Sequence, residues 1–137
     1  MGFEVYIRFF GETERVGLPR DSIRSLFPVI EEESEPDYWQ IRYDNKNSCK
    51  IGVTSRESDR GMLKGMYVDR PCGDLRLWEG LLSIVRMGAV VMFWPGGPPV
   101  IASQDVAAGL PVDMIDSIGA PRVANSVADI LGMLKES

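Results

Sequence analysis

The chain has 137 residues and a net charge of −5, from 20 acidic and 15 basic residues, and it contains no histidine. The negative balance disfavours nucleic-acid binding, which depends on clustered positive charge, but it permits a basic protein partner. The lack of histidine excludes Ser-His-Asp and Cys-His nucleophile pairs and histidine-ligated zinc. A hydrophobic content of 45% suits a single globular domain over residues 1–137.

Nothing in the sequence predicts a membrane span or a secretion signal. The longest apolar run covers residues 87–94, whereas a helix that crosses a bilayer needs about 20 apolar residues. The first ten residues lack a basic start and a long apolar stretch, so no signal peptide is expected. We therefore expect a cytoplasmic protein without membrane contact. In that compartment Cys49 and Cys72 should be free, mostly buried thiols, with a single disulfide as the alternative.

The N-terminal region predicts a strand, a short helix and an acidic loop. Apolar side chains alternate along residues 3–10, which is typical of a strand with one buried face. Asp21 is placed to cap a helix that Pro28 limits to one or two turns. The acidic stretch from Glu31 to Asp37 is expected to be a solvated loop, although Ca²⁺ or a basic surface are alternative ligands for it.

A meander of antiparallel strands is predicted next. Residues 38–43 and 49–53 alternate on either side of the turn-forming sequence Asp44–Asn47, which indicates a β-hairpin. Residues 62–69 predict a further strand, in which Gly65 is an interruption.

The segment that follows predicts the core of the fold. Asp74 is a good N-cap for a helix over residues 74–87, because its carboxylate can accept bonds from the first-turn amides. A narrow polar stripe is expected to be its only exposed part, and consists of Arg76, Glu79, Ser83 and Arg86. The unbroken apolar run 89–94 then predicts a strand buried on both faces.

The C-terminal region predicts two short strands and three helices. The strands are expected at 100–102 and 122–124. Short helices should follow Ser103 and Pro111. Ser126 and Asp129 resemble a capping box, which predicts a final amphipathic helix over residues 126–135.

Positive signals for catalysis are weak. Neither cysteine lies in a CxxC motif, and no nucleotide-binding or nucleophile motif occurs. Asp113 and Asp116 are spaced to share a metal or a proton on a helix, but solvated acids in a first helical turn are the preferred interpretation. Arg70 is a second candidate for a binding surface, besides the turn described next, although an ion pair with a neighbouring acid is the preferred interpretation.

The sequence Trp94-Pro95-Gly96-Gly97-Pro98-Pro99 is the most distinctive surface candidate. Prolines fix φ and glycines permit positive φ, so a rigid turn is the simplest interpretation. A binding loop that presents the face of Trp94 is the alternative. A phosphate loop is disfavoured because half of these residues are prolines, which have no amide to donate.

These patterns predict an α+β fold: a mixed, mostly antiparallel sheet of five to seven strands that carries two main helices and several short ones. For function, the leading hypothesis is a non-enzymatic binding or regulatory protein that inhibits a basic protein partner, as immunity proteins do. The predicted partner-binding residues are Trp94, Gly96, Gly97, Trp39, Glu31, Glu32 and Glu33. The alternatives are an enzyme or small-ligand-binding subunit with a carboxylate and arginine pocket near PGGPP, and a homo-oligomeric scaffold, of which a homodimer is one form. No catalytic residue, cofactor or metal ligand is predicted.

Overall fold

The computed structural model describes residues 3–10, 18–34, 37–56 and 59–136, and within them nine strands form one sheet that carries five helices. The strands are β1 (Glu4–Phe9), β2 (Leu18–Pro19), β3 (Val29–Ser34), β4 (Asp37–Arg42), β5 (Ser48–Arg56), β6 (Asp59–Asp69), β7 (Val90–Phe93), β8 (Val100–Ile101) and β9 (Arg122–Val123). The helices are α1 (Arg20–Arg24), α2 (Leu75–Val85), α3 (Gln104–Ala107), α4 (Val112–Ile118) and α5 (Val127–Glu136).

The strand order is β3-β4-β5-β6-β1-β7-β8-β9, and β2 pairs with β6 outside this path. All pairs are antiparallel except β8 with β9. The predicted α+β class with a mostly antiparallel sheet is therefore confirmed. The predicted count of five to seven strands is wrong, because β2 and β3 were not anticipated.

Strand β3 replaces most of the predicted acidic loop. It pairs with β4 through Glu31 opposite Gln40 and Glu33 opposite Tyr38, with a β-bulge between Val29 and Glu31. Glutamate has a low strand propensity, but hydrogen bonds to β4 and side-chain partners of this strand on neighbouring elements outweigh it. Residues 35 and 36 of the predicted loop lie outside the described residues.

Helices α1, α2 and α5 pack on one face of the sheet, which we call the inner face, and enclose the main core. Asp74 caps α2 as predicted, since its Oδ1 accepts a bond of 2.9 Å from the Arg76 amide. The polar stripe of α2 is exposed. Leu75 and Met87 are also exposed, at 55% and 43%, contrary to expectation, because Leu75 is the first residue of the helix and Met87 lies beyond its end.

The other face of the sheet is covered only in part. A second apolar cluster packs α3 and α4 against β7, β8 and β9 through Val91, Ile101 and Leu110. Strand β7 is therefore buried on both faces over Val90–Met92, as predicted, while Phe93 at its end is half-buried. Among the described residues no helix packs across the corresponding face of β3, β4, β5, β6 and β1, where alternate side chains reach solvent.

The last helix begins as predicted. The Ser126 hydroxyl accepts a bond of 3.2 Å from the Asp129 amide, and the Asp129 carboxylate accepts one of 2.9 Å from the Asn125 amide. Ile130 and Met133 then anchor α5 in the main core. Within the described part of the chain no helix is long and apolar enough to cross a membrane.

Candidate functional site

The uncovered part of the sheet, which we call the open face, is a candidate surface. Directly paired residues in an antiparallel sheet point to the same side, so the strand register identifies which side chains line up there. One row crosses six strands. It runs from β3 to β7 through Glu33, Tyr38, Gly52, Tyr67, Tyr6 and Phe93.

Four aromatic side chains in this row, Tyr38, Tyr67, Tyr6 and Phe93, form what we call the aromatic row. The rings of Tyr6 and Phe93 stack with centroids 5.3 Å apart, and those of Tyr6 and Tyr67 lie tilted at 6.5 Å. A Cβ at Gly52 would collide with the ring of Tyr67, so the glycine allows that ring to lie flat along the row. Tyr67 is still 37% exposed. Tyr6, Tyr38 and Phe93 are half-buried, and Phe93 also packs against the second apolar cluster, so the row offers a strip of partly exposed aromatic rings.

Polar rows flank the aromatic row on both sides. One row runs through Glu31, Gln40, Lys50, Asp69 and Glu4. The other runs through Thr54, Gly65 and Arg8 and ends at the buried Val91. The open face thus has an aromatic centre and a rim that carries charges of both signs.

Two tyrosine hydroxyls of the aromatic row, those of Tyr6 and Tyr38, are held by carboxylates. Tyr6 donates a hydrogen bond to Glu4, which raises the pKa of Tyr6. A hydrogen bond with Glu33 raises the pKa of Tyr38 in the same way, and the Lys50 ammonium lies 4.4 Å from the centroid of the Tyr38 ring. These phenols stay neutral and fixed in orientation at physiological pH, which suits binding better than proton transfer.

Both tryptophans that the sequence suggested as partner anchors are buried. Trp39 is fully buried on the inner face of β4. Trp94 is 3% exposed, and its indole packs so closely on Gly97 that a Cβ there would collide with it. Gly96 adopts a φ of +81° in the same turn. In these positions the two indoles support the core and the turn, and neither presents a face to a partner.

The three glutamates divide between the two faces. Glu31 and Glu33 project from the open face beside Gln40 and Tyr38. Glu32 projects to the inner face, where its carboxylate pairs with Arg20 at 3.0 Å and Arg24 at 3.1 Å.

The inner-face ion pairs form a network around Trp39. Its indole Nε1 donates to Glu32 over 3.2 Å. The bond from Arg20 lowers the pKa of Glu32 despite partial desolvation. Arg20 also binds Asp37 at 2.9 Å. The network gives Glu32 a structural role, whereas Glu31 and Glu33 lie on the open face, Glu33 in a hydrogen bond with Tyr38.

The candidate acids Asp113 and Asp116 lie on α4, and both are exposed. In the ranges that the structure describes, no group of three or more histidine, cysteine, aspartate or glutamate side chains is arranged to hold a metal ion. Cys49 and Cys72 are free and touch the main core, Cys49 being buried and Cys72 half-buried.

Sequence reasoning missed the aromatic row as a site. Alternation in β1 and in β4 does place Tyr6 and Tyr38 opposite the apolar side chains of their strands. Only the register of six strands, however, shows that they share a row with Tyr67 and Phe93.

Comparisons of this chain with protein-family models, with curated proteins and with solved structures found no match. The candidate site therefore rests on the geometry of the open face.

Proposed function

We propose that this protein is a non-enzymatic, cytoplasmic binding protein of the immunity-protein type, which inhibits a basic protein partner by covering it with the open face. The observation that carries the proposal is the aromatic row, a strip of partly exposed rings, three of which lie on strands that the described helices leave uncovered. Contiguous exposed apolar surface rimmed by polar residues marks interaction sites in proteins.

The composition of the open face supports a protein partner. Interfaces are enriched in tyrosine, phenylalanine and arginine at their centres and are polar at their rims. Tyrosine loses little conformational entropy on binding because it has only two side-chain torsions, and the carboxylates of Glu4 and Glu33 already restrain Tyr6 and Tyr38. Acidic residues interleave with the basic ones on this face, which disfavours a nucleic acid.

The charge of the chain supports a basic partner. A net charge of −5 steers positively charged proteins during diffusional encounter. Glu31 and Glu33 add exposed negative charge at the margin of the open face. Charge acts on the rate of association in such complexes, and the aromatic centre acts on the rate of dissociation.

The test is capture of partners from the native cell with the wild-type chain and matched variants. Gly52→Ala moves the Tyr67 ring off the row without removing an aromatic residue, and Tyr67→Ala removes the ring. Glu79→Ala changes an exposed residue of α2 on the other side of the sheet and is the control. A basic protein retained by wild type and Glu79→Ala, and lost from both open-face variants, is the expected result.

The purified pair then tests whether charge governs the rate of association and the aromatic centre the rate of dissociation. Replacing Glu31 with Gln keeps the hydrogen bond between Glu33 and Tyr38 and should slow association. Rising salt should slow association of the wild-type chain, because exposed charges are screened beyond about 8–10 Å. Tyr67→Ala should speed dissociation. A partner held equally by all variants would refute the proposal, and so would a stable homodimer in sedimentation that the open-face variants abolish, since that result identifies a homo-oligomeric scaffold.

A second candidate function is a small-ligand-binding subunit or an enzyme. A depression of about 410 Å³ lies beside the PGGPP turn, and its lining includes Glu4, Asp69, Arg70 and Pro95. Arg70 is the only described non-glycine residue with positive φ, at 50°, and such strain concentrates at functional sites. Saturable binding of a metabolite that Arg70→Ala abolishes, with no protein partner recovered, would favour this function.

A further inference from the structure

A cleft interrupts the open face where β6 has a glycine. Gly65 lies between Thr54 of β5 and Arg8 of β1 in one of the flanking rows. A depression of about 430 Å³ lies at this point, and its lining includes Gly65, Tyr6 and Tyr67. We call this depression the Gly65 cleft.

Two glycines keep the Gly65 cleft open. A Cβ at Gly65 would lie 3.2 Å from the Ile7 carbonyl oxygen, so the glycine also allows β1 and β6 to pair closely. The ring of Tyr67 lies over Gly52 in its own row, and therefore does not fold down over Gly65.

A β-bulge brings a second cation to the cleft. Thr54 pairs with Gly65 and Ser55 pairs with Leu63, so Lys64 has no direct partner on β5. Bulges redirect side chains out of the regular alternation, and Lys64 lines the cleft together with Arg8. Both side chains are exposed. No aspartate or glutamate is among the described residues that line the cleft.

We propose that the Gly65 cleft binds a carboxylate between Arg8 and Lys64, and that its occupant is an acidic side chain of the protein partner. The guanidinium matches a carboxylate with two parallel hydrogen bonds, and the ammonium adds a point charge. The tyrosine rings cover the methylene groups of such a side chain. The depression is also larger than one carboxylate requires, which leaves room for the backbone that carries it.

The second half of this proposal rests on the proposed function, because it assigns the carboxylate to a protein partner. It is compatible with a basic partner. Net charge governs the approach of the two proteins over long distances, whereas one buried acidic side chain governs the register in which they dock.

The first experiment uses the full, ¹⁵N-labelled chain and N-acetylaspartate methylamide as the probe. We expect saturable chemical-shift changes at the amides of Arg8, Thr54 and Gly65. Arg8→Gln and Lys64→Gln should each weaken binding about tenfold, the effect of one lost charge-assisted hydrogen bond. Lys135→Gln removes an exposed cation on α5 and should leave binding unchanged.

Matched probes make the result specific. The asparagine analogue of the probe should cause no saturable change, because it lacks the negative charge. Inorganic phosphate should bind more weakly than the carboxylate. Equal binding of either compound, or binding that survives both cation substitutions in folded variants, would overturn the carboxylate site.

A second experiment separates this proposal from the proposed function. If a partner is captured, Arg8→Gln should weaken its binding. Substituting the partner's acidic residue that enters the cleft should weaken binding to the wild-type chain but should not weaken binding to Arg8→Gln any further. A partner that Tyr67→Ala releases but Arg8→Gln does not would overturn the occupant and leave the proposed function standing. Probe binding without any protein partner would overturn the proposed function and also the assigned occupant, and it would support a site for free carboxylates.

Discussion

Replacing Trp39 with alanine tests whether this residue belongs to the core or to a binding surface. Trp39 is fully buried, its indole donates a 3.2 Å hydrogen bond to Glu32, and the Arg20 guanidinium carbon lies 5.7 Å from its ring centroid. The substitution removes these contacts together and leaves a void between β4 and the helices. We therefore expect Trp39→Ala to lower the stability of the fold.

The magnitude follows from those contacts. Truncating a buried tryptophan costs about 3–5 kcal/mol. Losing the hydrogen bond adds at most about 1 kcal/mol, because the Glu32 side chain is 38% exposed and water replaces the donor. A total near 4 kcal/mol is a large part of the roughly 5–15 kcal/mol that stabilises a typical domain. For a chain of this size it should lower the melting temperature by about 15 °C.

Chemical denaturation followed by far-UV circular dichroism measures the loss. Tyr38→Ala is the matched control, since Tyr38 is the adjacent aromatic residue on the open face of the same strand. Its loss should be about 1 kcal/mol, the range of one cross-strand pair. Equal losses for the two variants, or a larger one for Tyr38→Ala, would mean that β4 presents the opposite face to the core.

Three further outcomes are expected. In α2, Trp78→Ala should cost about 3–5 kcal/mol and Glu79→Ala under about 0.5 kcal/mol; comparable losses in denaturation would show that the helix is turned the other way. Burial raises the pKa of the Cys49 thiol to about 12, so thiol reagents should modify it slowly in the native protein and rapidly in denaturant, and a disulfide in protein isolated under alkylation would contradict this. The Arg20 hydrogen bond lowers the pKa of Glu32, so this carboxylate stabilises the fold above the unfolded-state value of about 4.3, and that contribution disappears as pH falls through the lower folded-state pKa. Glu32→Gln should therefore lose up to about 1 kcal/mol at neutral pH, discounted for solvent exposure, and nothing in strong acid; a pH-independent difference in denaturation would refute the assignment.

Elements with local signals could be predicted from the sequence. The turn at Asp44 is one example, because its carboxylate accepts bonds from the amides of Lys46 and Asn47 at 2.8 and 2.9 Å. The caps at Asp74 and Ser126 are others. In each case the partners are two or three residues apart, so a short window of sequence contains the whole interaction.

Strand β3 could not be predicted in this way. Its glutamates disfavour a strand locally, and the groups that stabilise it come from other elements: Arg20 and Arg24 from α1, and Trp39 from β4. The aromatic row could not be predicted for the same reason, since it depends on strand pairing between residues as distant in sequence as Tyr6 and Tyr67.

The edges of the sheet have a consequence for assembly. An unpaired edge strand is a template on which further copies of a chain add and polymerise. On β3, adjacent copies would place Glu31 and Glu33 against like charges, and the bulge at Ile30 twists the edge away from a flat template. The opposite edge of the described sheet, Arg122–Val123, is too short to hold a second copy. Growth by edge pairing is thus blocked at both ends, while the broad face between them stays available.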